Sequence, residues 1–304
     1  MSAGAWLKLL LLSAIWGASF LFIRIGVVEL GPAWLMFLRV TFGALFLLGG
    51  AFYLKKVLNG SAPLKHFLIL GGMNTALPFL LYGFAATELG ASLMSVLNAT
   101  APLWSALLLA IWHRTMPKGA ALLGLITGFC GVLLLAGVES LSLDVNGRLA
   151  FAAGLGAAVC YAIASIYTKA AKVGEPYNNA HGSMWAASMW LLPVVLLSPM
   201  PAAMPSVGTL AAVVTLGVLC SGVAYLLYFR LVDEVGATSA LTVTFLIPVF
   251  GILWGVLFLH EHIGWHTLLG TAIILLGTAI STGSLSMARL GGISRGVFKK
   301  GSGA

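Results

Sequence analysis

Apolar residues in this chain come in long continuous runs, without the in-and-out alternation of a half-buried strand. Such runs lie near 5–26, 33–54, 66–87, 91–112, 118–138, 148–170, 181–198, 207–231, 237–259 and 263–285. Each approaches the roughly 20 residues a helix needs to cross a hydrocarbon core of about 30 Å. Barrel strands would instead alternate every second residue over about ten positions. The pattern therefore predicts an all-α integral membrane protein of ten transmembrane helices, in which each helix satisfies its own backbone hydrogen bonds. The first run carries an early Lys8 but no basic segment before it, so it reads as a first helix and not as a cleaved leader.

Composition supports this reading. Hydrophobic residues make up 60% of the chain, charged residues 8%, and the mean hydropathy is +1.05, far from the balance of a soluble domain. The net charge of +8 does not point to nucleic acid, because the basic residues are scattered through short loops. Of the 16 Lys and Arg, all but Arg24, Arg39 and Arg148 fall on one side if the N-terminus is cytoplasmic. The positive-inside rule then places both termini in the cytoplasm of an inner-membrane, multi-pass protein. Cys130, Cys160 and Cys220 fall inside predicted spans with no metal-ligand spacing, so they read as small packing residues.

The ten runs divide into two sets of five. Shifted by 146 residues, Leu80-Leu81-Tyr82 falls on Leu226-Leu227-Tyr228, Glu88 on Glu234, Pro102 on Pro248, Gly131 on Gly277 and Gly137 on Gly283. Five spans per unit is an odd number, so the second unit enters the bilayer from the opposite side. The loops fit that reversal: His113-Arg114-Thr115-Met116-Pro117-Lys118 is basic, whereas His260-Glu261-His262 has no Lys or Arg. The predicted units are 1–140 and 141–286, followed by a basic cytoplasmic tail at 287–304. Two inverted five-helix repeats around a central cavity are a common plan of secondary transporters.

Particular residues carry a family resemblance over nearly the whole chain. They are Trp16-Gly17-Ala18-Ser19-Phe20, Arg39, Ala99-Thr100-Ala101-Pro102-Leu103-Trp104, Leu259-His260-Glu261-His262, Leu269-Gly270 and Leu276-Gly277. Each half resembles an EamA domain of the drug/metabolite transporter superfamily, and the chain looks similar to the YddG-type amino-acid exporters. His113-Arg114 departs from the Gly-Glu pair that such domains often carry in that loop. The resemblance implies an alternating-access carrier for small organic solutes, with amino acids, aromatic ones included, as the expected cargo for export. A broader drug, nucleoside or metabolite exporter is the alternative.

Inverted-repeat carriers hold substrate near the bilayer midplane, so polar and aromatic positions in the middle of spans are the candidates. Asn98 with Pro102 and Thr244 with Pro248 stand at matched positions, each polar residue four before its proline, where the proline frees a carbonyl. Pro78 shares a stripe with Asn74 and Tyr82, and the three prolines are candidate hinges. Trp16, Phe20, Tyr82, Tyr161, Trp185, Tyr225 and Tyr228 are candidate walls of a binding site; packing or interfacial anchoring is the competing role for each. Arg39, some six residues inside its span, either holds a substrate carboxylate or pairs with Glu29 or a helix-end carbonyl to fix an outer gate. No Asp or Glu stands in the middle of a span, so carboxylate-based proton coupling is not expected; uniport is the expectation, with coupling through a histidine, His181 at a span end, as the alternative. Gly124, Gly128 and Gly131 on one span and Gly270 and Gly277 on its counterpart predict a close pairing of those two helices.

An integral-membrane enzyme would be the rival class, but no HExxH occurs, the GxSxG match Gly292-Ile293-Ser294-Arg295-Gly296 falls in the basic tail, and no paired carboxylates lie on an interfacial helix face. The spacing of His260, Glu261, His262 and His266 matches no zinc motif. Neither a metal nor a cofactor is expected, and the expected partners are a small-molecule substrate and the lipid bilayer, for a protein acting as a monomer.

Overall fold

The computed structural model describes residues 1–55, 62–117, 119–142, 144–171 and 173–284. Nine helices follow in chain order: α1 (Ala3–Tyr53), α2 (Leu64–Glu88), α3 (Ala91–Trp112), α4 (Ala120–Ser142), α5 (Val145–Ala171), α6 (Pro176–Leu197), α7 (Val207–Val235), α8 (Val243–Leu259) and α9 (Trp265–Ser281). A four-residue turn, Ala237–Ala240, precedes α8. No strand occurs among the described residues. Helices α1 to α7 are long and apolar enough to cross a membrane, while α8 and α9 are shorter apolar helices of 17 residues each. The basic tail expected at 287–304 lies outside the described residues.

Nine helices are counted among the described residues where ten spans were expected, because the runs at 5–26 and 33–54 are joined in α1. No loop separates them. Gly31 alone leaves helical geometry, at φ 67° and ψ 167°, and Pro32 restarts the helix at once. Proline suits a first helical turn, since its missing N–H has no intrahelical partner there anyway. The bend is sharp: a Cβ on Gly26 would lie 2.6 Å from Leu35 Cδ1, although residues nine apart in a straight helix are separated by about 13 Å along the axis.

Two segments of wider π-helix interrupt the α-helical pattern, Gly72–Ala76 within α2 and Val218–Val223 within α7. Their starts are offset by the 146 residues that relate the two halves of the sequence. Proline is not the common cause, since Pro78 follows the first segment but Ala224 holds the equivalent place after the second. In the second segment the Ser221 hydroxyl donates to the Leu216 carbonyl at 3.2 Å, a substitute bond where the backbone ladder is widened.

Helices α4 and α9 pair as their glycines predict. A Cβ on Gly124 would meet Gly277 O at 2.7 Å, and one on Gly131 would meet Ile274 N at 2.9 Å, so the two backbones are in direct contact. Elsewhere α1 packs against α2, α6, α7 and α8, and α2 against α5. The first half of α3, Ala91–Asn98, packs against α8, and its second half, Ala101–Trp112, packs against α5. Alanines and leucines fill much of the interior with a few aromatics, Tyr82 the most buried of them, whereas Val28, Leu133, Leu196 and Phe258 point outward. Large apolar side chains on the outside are what a lipid-facing surface requires.

Candidate functional site

The site is built where α1 crosses α7. A Cβ on Gly217 would come 2.6 Å from Phe42 Cβ and 2.8 Å from the Arg39 carbonyl oxygen, so glycine lets the two helices touch at Arg39. That contact, with the second π segment directly after it, brings Ser221 under the arginine. Arg39 Nε donates to Ser221 Oγ at 3.2 Å. The guanidinium carbon lies 3.6 Å from the centre of the Phe79 ring on α2, a cation–π contact. The side chain is buried at 6% exposure. Tyr161, Cys220 and Tyr225 stand near its charge, and among the described residues no carboxylate forms a salt bridge with it.

The expected gate pairing of Arg39 is therefore not what forms. Glu29 instead accepts from the Ser206 backbone N–H at 2.6 Å and from its hydroxyl at 2.8 Å. The bend at Gly31 sends Glu29 toward the start of α7, where free backbone N–H groups attract a carboxylate.

Aromatic residues extend the site from Arg39. Tyr82 on α2 stacks with Tyr161 on α5 at 6.3 Å between ring centres and receives the edge of Phe20 at 5.3 Å. Its hydroxyl donates to Asn98 Oδ1 at 3.3 Å. Asn74, within the first π segment, stands near Tyr225, and Trp16 packs on Tyr228 at 5.6 Å. Residues from α1, α2, α3, α5 and α7 thus meet in the middle of their helices. Trp16, Asn74, Asn98, Tyr161, Tyr225 and Tyr228 each keep part of their surface open.

Two candidates stand apart from this set of contacts. Trp185 Nε1 donates to His181 Nε2 one turn earlier, at 3.0 Å. Thr244 Oγ1 bonds the Leu241 carbonyl at 2.8 Å. The prolines also differ in effect. Pro102 begins the second half of α3 after a turn at Ala99–Thr100. Pro248 sits inside α8, whose preceding turn is at Leu241–Thr242. Pro78 follows the first π segment. Sequence reasoning missed Phe79 and Ser221, the partners of Arg39. Phe79 was within reach of it, because three residues before Tyr82 on a helix is the same face.

Both ends of the bundle are tied between elements. At one end Arg24 Nη1 donates to the Ala86 carbonyl at 2.8 Å, near the end of α2, and Trp34 Nε1 donates to the Pro199 carbonyl at 3.2 Å. At the same end Glu261 accepts from the backbone N–H groups of Ala91, at 2.6 Å, and Ser92, at 3.0 Å. A carboxylate across the first N–H groups of α3 is a strong cap. A cleft of about 390 Å³ opens beside it, lined by Arg24, Ile25, Val28, Gly90, Leu259 and Glu261. At the other end Lys8 pairs with Glu234. Buried His66 there links Tyr167, at 3.0 Å, with Asn179, at 3.2 Å.

Similar proteins align with this chain over nearly their whole length. Relatives 24–25% identical include the Bacillus subtilis (strain 168) protein YoaV, named an uncharacterized transporter, aligned over 286 residues that cover 92% of this chain and 97% of YoaV. A second is an uncharacterized transporter of Archaeoglobus fulgidus, 25% identical over 93% of this chain and 98% of its own length. A solved crystal structure superposes with a TM-score of 0.66 at 19% identity, covering 95% of this chain and 99% of the other, which shows a shared fold. The profile of the EamA-like transporter family matches twice, at residues 4–137 and 148–283. With that double match spanning nearly all of its helices, the chain belongs to the EamA-like transporter family.

Proposed function

We propose that this membrane transporter moves small organic solutes by alternating access, and that its cargo is amino acids, aromatic ones included, carried outward across the inner membrane. The observation that carries the reading is the set of polar and aromatic side chains contributed by five helices in mid-helix, around Tyr82, Asn98, Tyr161, Tyr225 and Arg39. Aromatic walls suit an apolar side chain, and Asn74, Asn98 and the tyrosine hydroxyls offer hydrogen bonds to its polar end.

In this reading α1 crosses the bilayer twice, turning at Gly31. A straight helix of its 51 residues would be roughly 76 Å long, more than twice the core thickness. That gives ten crossings and two inverted five-helix units, 1–140 and 141–286, supported by the matched π segments. The N-terminus is cytoplasmic, so the ties at Glu261 and Arg24 close the external end. Asn98 and the α3 turn before Pro102 mark where α3 parts from α8 and opens the path inward, and Pro78 and Pro248 flank the two other flexing points.

The test is uptake of labelled phenylalanine and leucine into proteoliposomes, with and without a pH gradient, for the wild-type protein and Asn98→Leu. Saturable uptake that needs no pH gradient and falls at least tenfold in the variant is expected. Absence of saturable uptake for every amino acid rejects the cargo and directs the search to drugs, nucleosides and other metabolites.

A further inference from the structure

The charge balance of the site is uneven. Arg39 is buried, its single hydrogen bond goes through Nε to a neutral hydroxyl, and its ring contact is with a neutral face. Neither terminal guanidinium nitrogen has a hydrogen-bond partner among the described residues. All eight Asp and Glu of the chain stand at helix ends or at the Gly31 bend, so none balances the charge in mid-membrane. An uncompensated buried cation is unfavourable unless an anion arrives to meet it.

The repeat sharpens the picture. At the 146-residue offset Phe79 corresponds to Tyr225 and Ser221 to Thr75, but Arg39 corresponds to Trp185. Thus the aromatic and hydroxyl partners are kept in kind on both sides of the pseudo-symmetric interior, and the cation exists on only one. Among the described residues the buried Thr75 hydroxyl has no hydrogen-bond partner, as fits a position whose arginine is missing.

We propose that Arg39 is the anion anchor of the transport site and that the solute is an organic monocarboxylate with an apolar or aromatic body. The terminal nitrogens face the carboxylate and the tyrosines enclose the body. One guanidinium neutralises one carboxylate, whereas a doubly charged phosphate monoester would leave a buried negative charge. A zwitterion is accepted through its carboxylate, with only neutral groups for its ammonium, and a bare amine is repelled. The inference rests on the transporter reading above and adds which group of the cargo is recognised: the carboxylate is required and the ammonium is not.

Isothermal titration calorimetry on the full chain in nanodiscs at pH 7 tests it with three probes of one shape: 3-phenylpropionate, L-phenylalanine and 2-phenylethylamine. The expected order places 3-phenylpropionate at least as tight as phenylalanine, with the amine weaker by tenfold or more. Arg39→Gln should weaken 3-phenylpropionate roughly 10- to 100-fold, the scale of a hydrogen bond to a charged group, and Arg39→Lys should recover part of it. Equal binding of the amine in the wild-type protein overturns the proposal without needing any variant. So does unchanged 3-phenylpropionate binding in a folded Arg39→Gln protein, or failure of all three probes to bind. Phenylalanine and the amine binding alike would leave the amino-acid reading standing and remove the anion anchor. Binding of 3-phenylpropionate without phenylalanine would do the reverse.

Discussion

Tyr82 is the most connected side chain of the site: it is buried, stacks on Tyr161, meets Phe20 and donates to Asn98. Tyr82→Phe removes only the hydroxyl, and with it the bond that orients Asn98. The expected loss of stability is about 1 kcal/mol, read from thermal unfolding in detergent, with a larger fractional fall in uptake than in melting temperature. A fall in stability with unchanged uptake would make Tyr82 a packing residue. Among the single residues, those legible in sequence were the polar and aromatic ones in mid-span, because such residues in lipid are rare enough to stand out. Their partners were not legible. Ser221 lies 182 residues from Arg39, and nothing local says that a serine in a glycine-rich apolar run will meet it. Glu29 looked like the natural partner because it is near in sequence, but the Gly31 bend sends it to Ser206.

At the scale of elements, two contacts set how the helices can move. Glu261 caps α3 from beyond the end of α8, so it holds the first half of α3 against α8. Glu261→Gln keeps the shape but weakens the charge-assisted bonds, and it is expected to open that end more often. With Cys130 replaced by alanine, labelling of a cysteine placed at buried Ser92 by a membrane-impermeant maleimide should speed up several-fold in the Gln variant; an unchanged rate would show that the cap does not limit opening. The α4–α9 pair is a rigid contact by contrast. Gly131→Leu sets a side chain against the Ile274 backbone and the Gly270 carbonyl. Overpacking of this kind costs about 1–3 kcal/mol or more, to be seen as a lower melting temperature. The span limits of α2, α3 and α5 were legible to within three residues, because twenty apolar residues leave little choice of where a helix can run. The π segments were not, since their residues are ordinary helix formers and the widening depends on packing between helices.

For the whole molecule the inverted arrangement proposed above implies that neither half works alone. The site takes α1, α2 and α3 from the first half and α5 and α7 from the second, so the two halves expressed separately should each fail to bind 3-phenylpropionate, and binding should return when they are co-expressed. Recovery of binding by one half alone would reject the shared site. The number of helices is where sequence and structure part most plainly. Ten runs were read and nine helices form among the described residues, because a glycine and a proline in succession resemble a loop in sequence yet here take a single residue to turn the chain.

That turn has a consequence in handedness. Gly31 combines φ 67° with ψ 167°, a region open in practice to glycine alone, and among the described residues no atom outside its own local stretch of chain lies within 4 Å of where its Cβ would stand. The obstacle to any other residue is thus its chirality and not its size. Gly31→Ala should lose about 1–3 kcal/mol despite having room, while a D-alanine placed there by chemical synthesis, for which the same angles are the mirror image of ordinary extended backbone, should keep the melting temperature of the glycine protein.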